Sequence, residues 1–353
     1  MRQERKLLLK KCRDNNLGFE HFMREIGQLF EAYEELSEKK HQSKNIALFP
    51  SIAASLVMEM HSLELMDGDT GRVPLTWVTA VLDQLSLKLN DPKVLVVSVV
   101  GVQSSGKSTL LNSMFGLRFP VRAGRCTRGL FIRFLPIEEK LAETLGFSYL
   151  IVVDTEGIRS IDHDDRRFDN ELVTFAFSIA NVTIFNIEGE NIDSDMTGIL
   201  QIAAHALMRM KEVDLECKCK IVQQRVADLT AADRNKVSTF KEGIKQTLDA
   251  ATKIAAEAEG LEGRYEKFSD VVELKLDEDL QYIPCLWKGG MSPPNHMYSE
   301  KVVKIKNGSS RISNKIITPE LTMTTFTERY EMFGKQLRKR ISFSTFKIVL
   351  GGG

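Results

Sequence analysis

Residues Gly101-Val-Gln-Ser-Ser-Gly-Lys-Ser108 fit the pattern G-x-x-x-x-G-K-[ST]. Glycines in such a loop let backbone N–H groups approach phosphate oxygens, and a helix starting at its end adds positive potential. Lys107 supplies a compact charge for β- and γ-phosphate oxygens. The Ser108 hydroxyl, followed by Thr109, is placed to ligate Mg²⁺, which keeps several waters and takes few protein ligands. Gly101, Val102, Gln103, Ser104, Ser105, Gly106, Lys107, Ser108 and Thr109 are therefore the candidate triphosphate-binding residues. The chemistry implied is Mg²⁺-assisted binding of a nucleoside triphosphate.

A second element is Tyr149-Leu-Ile-Val-Val-Asp154-Thr-Glu-Gly157. Here an apolar strand delivers Asp154, a carboxylate able to hold Mg²⁺ through water. Gly157 completes a D-x-x-G signature, in which a glycine N–H meets the γ-phosphate. Between the two lies Arg122-Ala-Gly-Arg-Cys-Thr127-Arg-Gly129, where Thr127 is the expected switch ligand to Mg²⁺. Arg125 and Arg128 either stabilise transition-state charge or are solvated. The acidic run Asp162-His-Asp-Asp165 reads as a solvated stretch of a second switch loop rather than a metal site.

The elements that must hold these residues can be read from periodicity. From Lys93 onward, short apolar β-branched runs alternate with amphipathic helices: Val94–Val102, Leu130–Ile137, Tyr149–Val153, Val182–Asn186, Cys219–Val222 and Tyr282–Leu286. Runs apolar on both faces suit a mostly parallel sheet between helix layers, so the expected class is α/β, a doubly wound P-loop NTPase fold. The segment Asp193–Lys211 places Met196, Ile199, Leu200, Ala203, Leu207 and Met210 on one helical face. His205 shares that face and reads as a packing histidine. Another helix around Thr76–Leu89 stops at Asn90-Asp91-Pro92.

Residues 1–90 read as a helical N-terminal segment and 91–350 as the nucleotide-binding domain, helical again from about Tyr298. Leu17, Phe19, Phe22, Ile26, Leu29, Phe30 and Tyr33 recur at helical spacing as a packing stripe. Met66-Asp-Gly-Asp-Thr-Gly-Arg72 lacks the carboxylate spacing of a calcium loop and reads as a connection.

Composition narrows the class. The 353 residues carry 48 Lys+Arg and 48 Asp+Glu, for zero formal net charge, which argues against nucleic-acid binding driven by bulk electrostatics. Basic runs at Arg5–Arg13 and Lys335–Arg340 read as solvated helix faces. Five unevenly spaced cysteines, Cys217-Lys-Cys219 among them, lack a zinc-binding arrangement and fit reduced thiols in a cytosolic or nuclear protein. The longest apolar run is about half the length that a membrane span needs, so no transmembrane segment is expected.

Taken together, these motifs resemble the interferon-induced very large GTPase family, distantly related to dynamins and guanylate-binding proteins. The resemblance rests on Gly101–Asn112, Gly124-Arg-Cys-Thr-Arg-Gly129 and Asp154-Thr-Glu-Gly157. It continues through Asp169–Phe175, Ile187-Glu-Gly-Glu-Asn191, Leu200–Lys211 and Leu286-Trp-Lys288, and upstream through Leu63–Asp69 and Val73–Trp77. Family members are much longer, so the chain looks like a fragment or a short relative. The resemblance implies GTP as ligand, with GDP as product, an interferon-responsive cytosolic and nuclear protein, and nucleotide-dependent self-association as a homodimer. Protein partners of the N-terminal helices are expected but not specified.

Guanine selection is carried over to Asp228. The strand Lys220-Ile-Val runs into Gln223-Gln-Arg-Val-Ala-Asp228, so Arg-Val-Ala-Asp can occupy the slot of the usual N-K-x-D. The other reading of Asp228 is a helix N-cap. Ile158 stands where Ras-type enzymes place a water-orienting glutamine. Dynamin-like loops instead use a glutamine and a serine at the positions of Gln103 and Ser104. The expected catalytic set is thus Gln103, Ser104, Lys107 and Thr127, promoting in-line water attack on the γ-phosphate. The other readings are a GTP-binding switch with little hydrolysis and a P-loop ATPase.

Overall fold

The run Val94–Gly101 is buried along its whole length and forms strand β2 at the centre of the sheet. Its alternate residues serve two different cores. Leu95, Val97 and Val99 pack with Leu110, Leu111 and Met114, whereas Val94, Val96 and Val100 pack with the larger cluster on the other face. A continuous apolar run therefore still obeys the period of two, with helices covering both sides.

The computed structural model describes residues 19–36, 45–117, 119, 129–155, 157, 166–189, 194–215, 217–226, 234–284, 296–315 and 321–339. In chain order its longer elements are α1 (Phe19–Leu36), α2 (Phe49–Met58), β1 (Leu63–Asp67), α3 (Leu75–Leu89), β2, α4 (Lys107–Phe115), β3 (Gly129–Pro136), α5 (Glu139–Leu145) and β4 (Tyr149–Thr155). They continue with α6 (Arg166–Ile179), β5 (Val182–Glu188), α7 (Ser194–Glu212), β6 (Lys218–Val226), α8 (Arg234–Ala258), α9 (Phe268–Val271), α10 (Leu276–Asp279), β7 (Leu280–Pro284), α11 (His296–Lys315) and α12 (Met323–Lys339).

Strand order is β1-β3-β4-β2-β5-β6-β7. The pairs β4·β2, β2·β5, β5·β6 and β6·β7 are parallel, and β1·β3 and β3·β4 are antiparallel. The expected doubly wound, mostly parallel α/β class is the observed one. The order reverses direction around β2, so a crevice forms at the carboxyl ends of β2 and β5, where such sheets bind ligands.

Three sequence expectations need correction. Leu63–Asp67 lies where the sequence reads as helix running into a connection at Met66, yet it forms the edge strand β1, with Leu63, Leu65 and Met66 fully buried. Its helix-tolerant residues hide this in the sequence. Long-range pairing with β3, across a register shift between Glu64 and Met66, decides the outcome. The apolar stripe of α1 is also misassigned in part. Phe22 and Leu29 are 62% and 61% exposed, while Met23, Gly27, Phe30 and Glu31 form the buried face.

Ion pairs explain that rotation of α1. Glu31, 3% exposed, accepts from Arg72, from the Thr76 backbone N–H at 3.2 Å and from Arg338 at 3.3 Å. Arg24 binds Glu64 through Nε at 2.6 Å. The basic run near the C-terminus is thus not merely solvated, because Arg338 ties α12 to α1. Helix α3 ends at Asn90, which takes the left-handed conformation at φ 58, as the Asn-Asp-Pro stop predicts.

Helix α7 buries Met196, Ile199, Leu200, Ala203, Leu207 and Met210 as its periodicity predicts. His205 lies at the α7–α8 interface, with Nδ1 3.8 Å from Glu259 Oε1. Hydrogen bonding to His205, together with Arg209, holds the Glu259 carboxyl down at about 2. Cys217 and Cys219 are buried free thiols, and burial pushes Cys217 up to about 11. Among the described residues, no helix is long and apolar enough to cross a membrane.

Candidate nucleotide site

Strand β2 ends at Gly101 and α4 begins at Lys107, so the motif is the strand–loop–helix turn that its chemistry requires. Gly106 turns the chain at φ 84, which L side chains rarely adopt. Ser104 also lies in the left-handed region at φ 63 and is exposed. Lys107 is 6% exposed, and its Nζ donates to the carbonyls of Gly101 at 3.1 Å and Val102 at 2.9 Å. Those bonds hold the ammonium over the loop that presents the backbone amides.

The Ser108 hydroxyl donates to Asp154 Oδ2 at 3.0 Å. The two residues are far apart in sequence, and the pairing of β2 with β4, which sets Val99 beside Asp154, joins them. Thr155 fixes the same strand end by donating to the Val99 carbonyl at 2.8 Å. A serine hydroxyl and a buried carboxylate at one point are the hard oxygen donors that Mg²⁺ prefers, so this pair fits the ion. Gly157 lies against the loop itself, because a Cβ built there would sit 2.3 Å from Gln103 Cα. Any side chain at 157 would strike backbone, so only glycine allows this approach. The D-x-x-G segment and the P-loop thus meet at Gln103.

Sequence reasoning missed two further residues, Asn186 and Gln224. The Asn186 amide, fully buried at the end of β5, donates to Ser105 O at 2.7 Å and to Ser105 Oγ at 2.9 Å. Gln224 on β6 donates to Asn186 Oδ1 at 2.6 Å and to Gly106 O at 3.3 Å. The available signal was a polar side chain at the carboxyl end of an otherwise apolar buried strand, where ligand crevices form.

The profile of the URGCP-like GTPase domain matches residues 1–299. The chain belongs to the URGCP-like GTPase domain family. Human interferon-induced very large GTPase 1 is 44% identical over 298 residues, covering 83% of this chain and 12% of that protein. Human up-regulator of cell proliferation is 30% identical over 307 residues, covering 82% of this chain and 32% of that protein. The chain therefore spans well under half the length of these relatives. A crystal structure of a dimerization-deficient Toc33 from Arabidopsis thaliana is similar at a TM-score of 0.42 and 13% identity, over 74% of this chain and 99% of that one, a likeness too low to carry weight.

Within this GTPase domain the expected site residues from Gly101 to Thr109, with Asp154 and Gly157, converge at the carboxyl ends of β2 and β4. Thr127, Asp228, Ile158, Arg125, Arg128 and the run Asp162–Asp165 lie outside the described residues. Arg225 opens the Arg-Val-Ala-Asp slot. It sits at φ 59, is 56% exposed and pairs with Glu188, while the neighbouring Gln224 contacts the loop.

Proposed function

We propose that this chain binds GTP with Mg²⁺ and hydrolyses it to GDP and phosphate by in-line water attack. The observation that carries the proposal is the meeting of two segments far apart in sequence, the P-loop and Asp154–Gly157. Lys107 bridges the loop carbonyls, Ser108 bonds Asp154, and Gly157 abuts Gln103. Mg²⁺, when bound, would be held by Ser108 and Asp154, joined by Thr127, and would neutralise charge on the β- and γ-phosphate oxygens. Lys107 and the loop N–H groups would bind the same oxygens, stabilising charge that spreads over them in the transition state. Gln103, fixed between loop and Gly157, would orient water with Ser104, a task that Ile158 cannot perform. Asp228 would grip the guanine.

The name of interferon-induced very large GTPase 1 points to GTPase activity in that protein, and the shared motifs support extending it to this chain. Nucleotide-dependent homodimerisation, protein partners for the first 90 residues, and cytosolic and nuclear residence belong to the same proposal. Light scattering with a transition-state mimic tests the dimer, and an unchanged monomer mass would remove it. The catalytic part is tested by titrating mant-labelled GTP, GDP and ATP alongside phosphate release. Tight GTP binding without phosphate would leave a switch module, and equal ATP affinity would overturn the guanine assignment.

A further inference from the structure

Helix α1 carries two apolar faces, and the fold buries one of them. Met23, Gly27 and Phe30 turn inward, with the ring centroids of Phe30 and Trp77 5.5 Å apart. Phe22, Leu29 and Leu36 turn outward and are 62%, 61% and 75% exposed. A spacing of seven residues keeps these three nearly in line, over about 21 Å at the helical rise of 1.5 Å per residue. Ile26 and Tyr33, half-buried, lie between them, so the apolar residues alternate steps of four and three. That is the seam one helix presents to another.

The helix cannot roll to hide this seam. A Cβ at Gly27 would sit 2.6 Å from the Trp77 ring, so α1 approaches α3 this closely on the glycine side alone. Arg24 bound to Glu64, and Glu31 bound to Arg72 and Arg338, fix the rotation. Among the described residues, eight of the twelve exposed large apolar side chains fall before residue 90, so the outward apolar surface belongs to the helices preceding β2. The charge around the seam has one sign. Glu25 stands beside it and Glu35 one step farther round, both exposed. Arg24, the only lysine or arginine within Phe19–Leu36, is turned to Glu64 and Asp67.

We propose that the outward face of α1 is the docking site for a basic amphipathic helix of another protein. Such a helix carries apolar residues at steps of three and four, with lysines or arginines beside them. Like charge disfavours the other occupants, since a second copy brings the same acidic helix and an anionic lipid surface repels it. The inference rests on the reading that the first 90 residues engage protein partners, and it names the surface and the partner's chemistry.

The probe is a helical peptide of about 18 residues, with leucines at those steps and lysines on both flanks, titrated against the full chain by fluorescence anisotropy without nucleotide. The wild type binds it with a Kd of about 10–100 μM, the range of a small seam. Leu29→Ser weakens binding by about ten-fold or more and keeps its mant-GDP affinity, which shows that it is folded. Leu141→Ser, at a leucine 48% exposed on α5, binds the peptide as the wild type does. Glu25→Lys combined with Glu35→Lys weakens binding by about five-fold and favours a peptide with glutamates in place of the lysines. Equal binding by the wild type and Leu29→Ser would overturn this face and leave the broader partner reading standing. No peptide binding by the wild type, or a charge reversal without effect, would also overturn the proposal. So would a concentration-dependent dimer in light scattering that Leu29→Ser abolishes, because a second copy would then be the occupant.

Discussion

Gln103 and Gly157 share one contact, and substitutions there separate binding from chemistry. A methyl at 157 has no flexible neighbour to displace, since the nearest atoms are the Cα and N of Gln103 at 2.3 and 2.6 Å. Gly157→Ala is expected to reduce single-turnover phosphate release at least ten-fold while mant-GDP affinity stays within a few-fold, because only the γ-phosphate side of the site moves (about 1.4 kcal/mol per factor of ten). Equal losses in both quantities would mean that Gly157 shapes the whole loop. Gln103→Ala should slow the same step and spare binding, and unchanged single-turnover hydrolysis would remove Gln103 from the mechanism. Lys107 and Ser108 were legible at this scale because their motif is local. Asn186 and Gln224 were not, since an amide at a strand end declares its partner only once β5 and β6 lie beside β2.

At the level of elements, the docking of α1 onto β1 and α3 carries a pH dependence. Burial lifts the Glu64 carboxyl from its ordinary 4.5 to about 7, against the pull of Arg24. The folded-state value lies above the unfolded one, so this group's contribution to stability is full below 4.5 and is lost as pH rises through 7. Thermal unfolding at about pH 5.5 and pH 8 should show the loss, and Glu64→Gln should shrink the difference between the two midpoints. An unaltered difference in the variant would assign the pH dependence elsewhere. Glu31→Ala should destabilise by about 2 kcal/mol, since Arg72, Arg338 and the Thr76 N–H all lose one acceptor. Denaturant melts can read that value. The central strands were legible because β-branched runs between turns leave few alternatives, and β2, β3, β4 and β5 fall within two residues of their expected bounds. Strand β1 and the rotation of α1 were not, because each is decided by a distant partner, β3 in one case and Arg72 with Arg338 in the other.

Across the molecule, the last described helix belongs to the core although the family profile stops at residue 299. Helix α12 buries Phe326, Tyr330 and Phe333, and the Tyr330 hydroxyl donates to Leu65 O at 3.2 Å. Its entry is tied to the sheet, with Val94 N–H donating to Leu321 O at 2.8 Å and Met323 N–H to Pro92 O at 3.0 Å. A chain ended after residue 299 should therefore lose several kcal/mol, from three aromatic side chains each worth about 2 kcal/mol on burial, and should melt lower or aggregate. A truncated chain melting with the full one would contradict that packing. The nucleotide machinery and the helices around it then act as one folded unit, whose central claim is guanine-nucleotide turnover at Gly101–Ser108. The most direct test is parallel titration of mant-GTP, mant-GDP and mant-ATP with Mg²⁺, coupled to phosphate release, on the wild type and on Lys107→Ala. The account predicts saturable guanine-nucleotide binding, much weaker ATP binding, phosphate release from GTP, and loss of all three signals in the variant. ATP binding as tight as GTP, or GTP binding that survives Lys107→Ala unchanged, would contradict it.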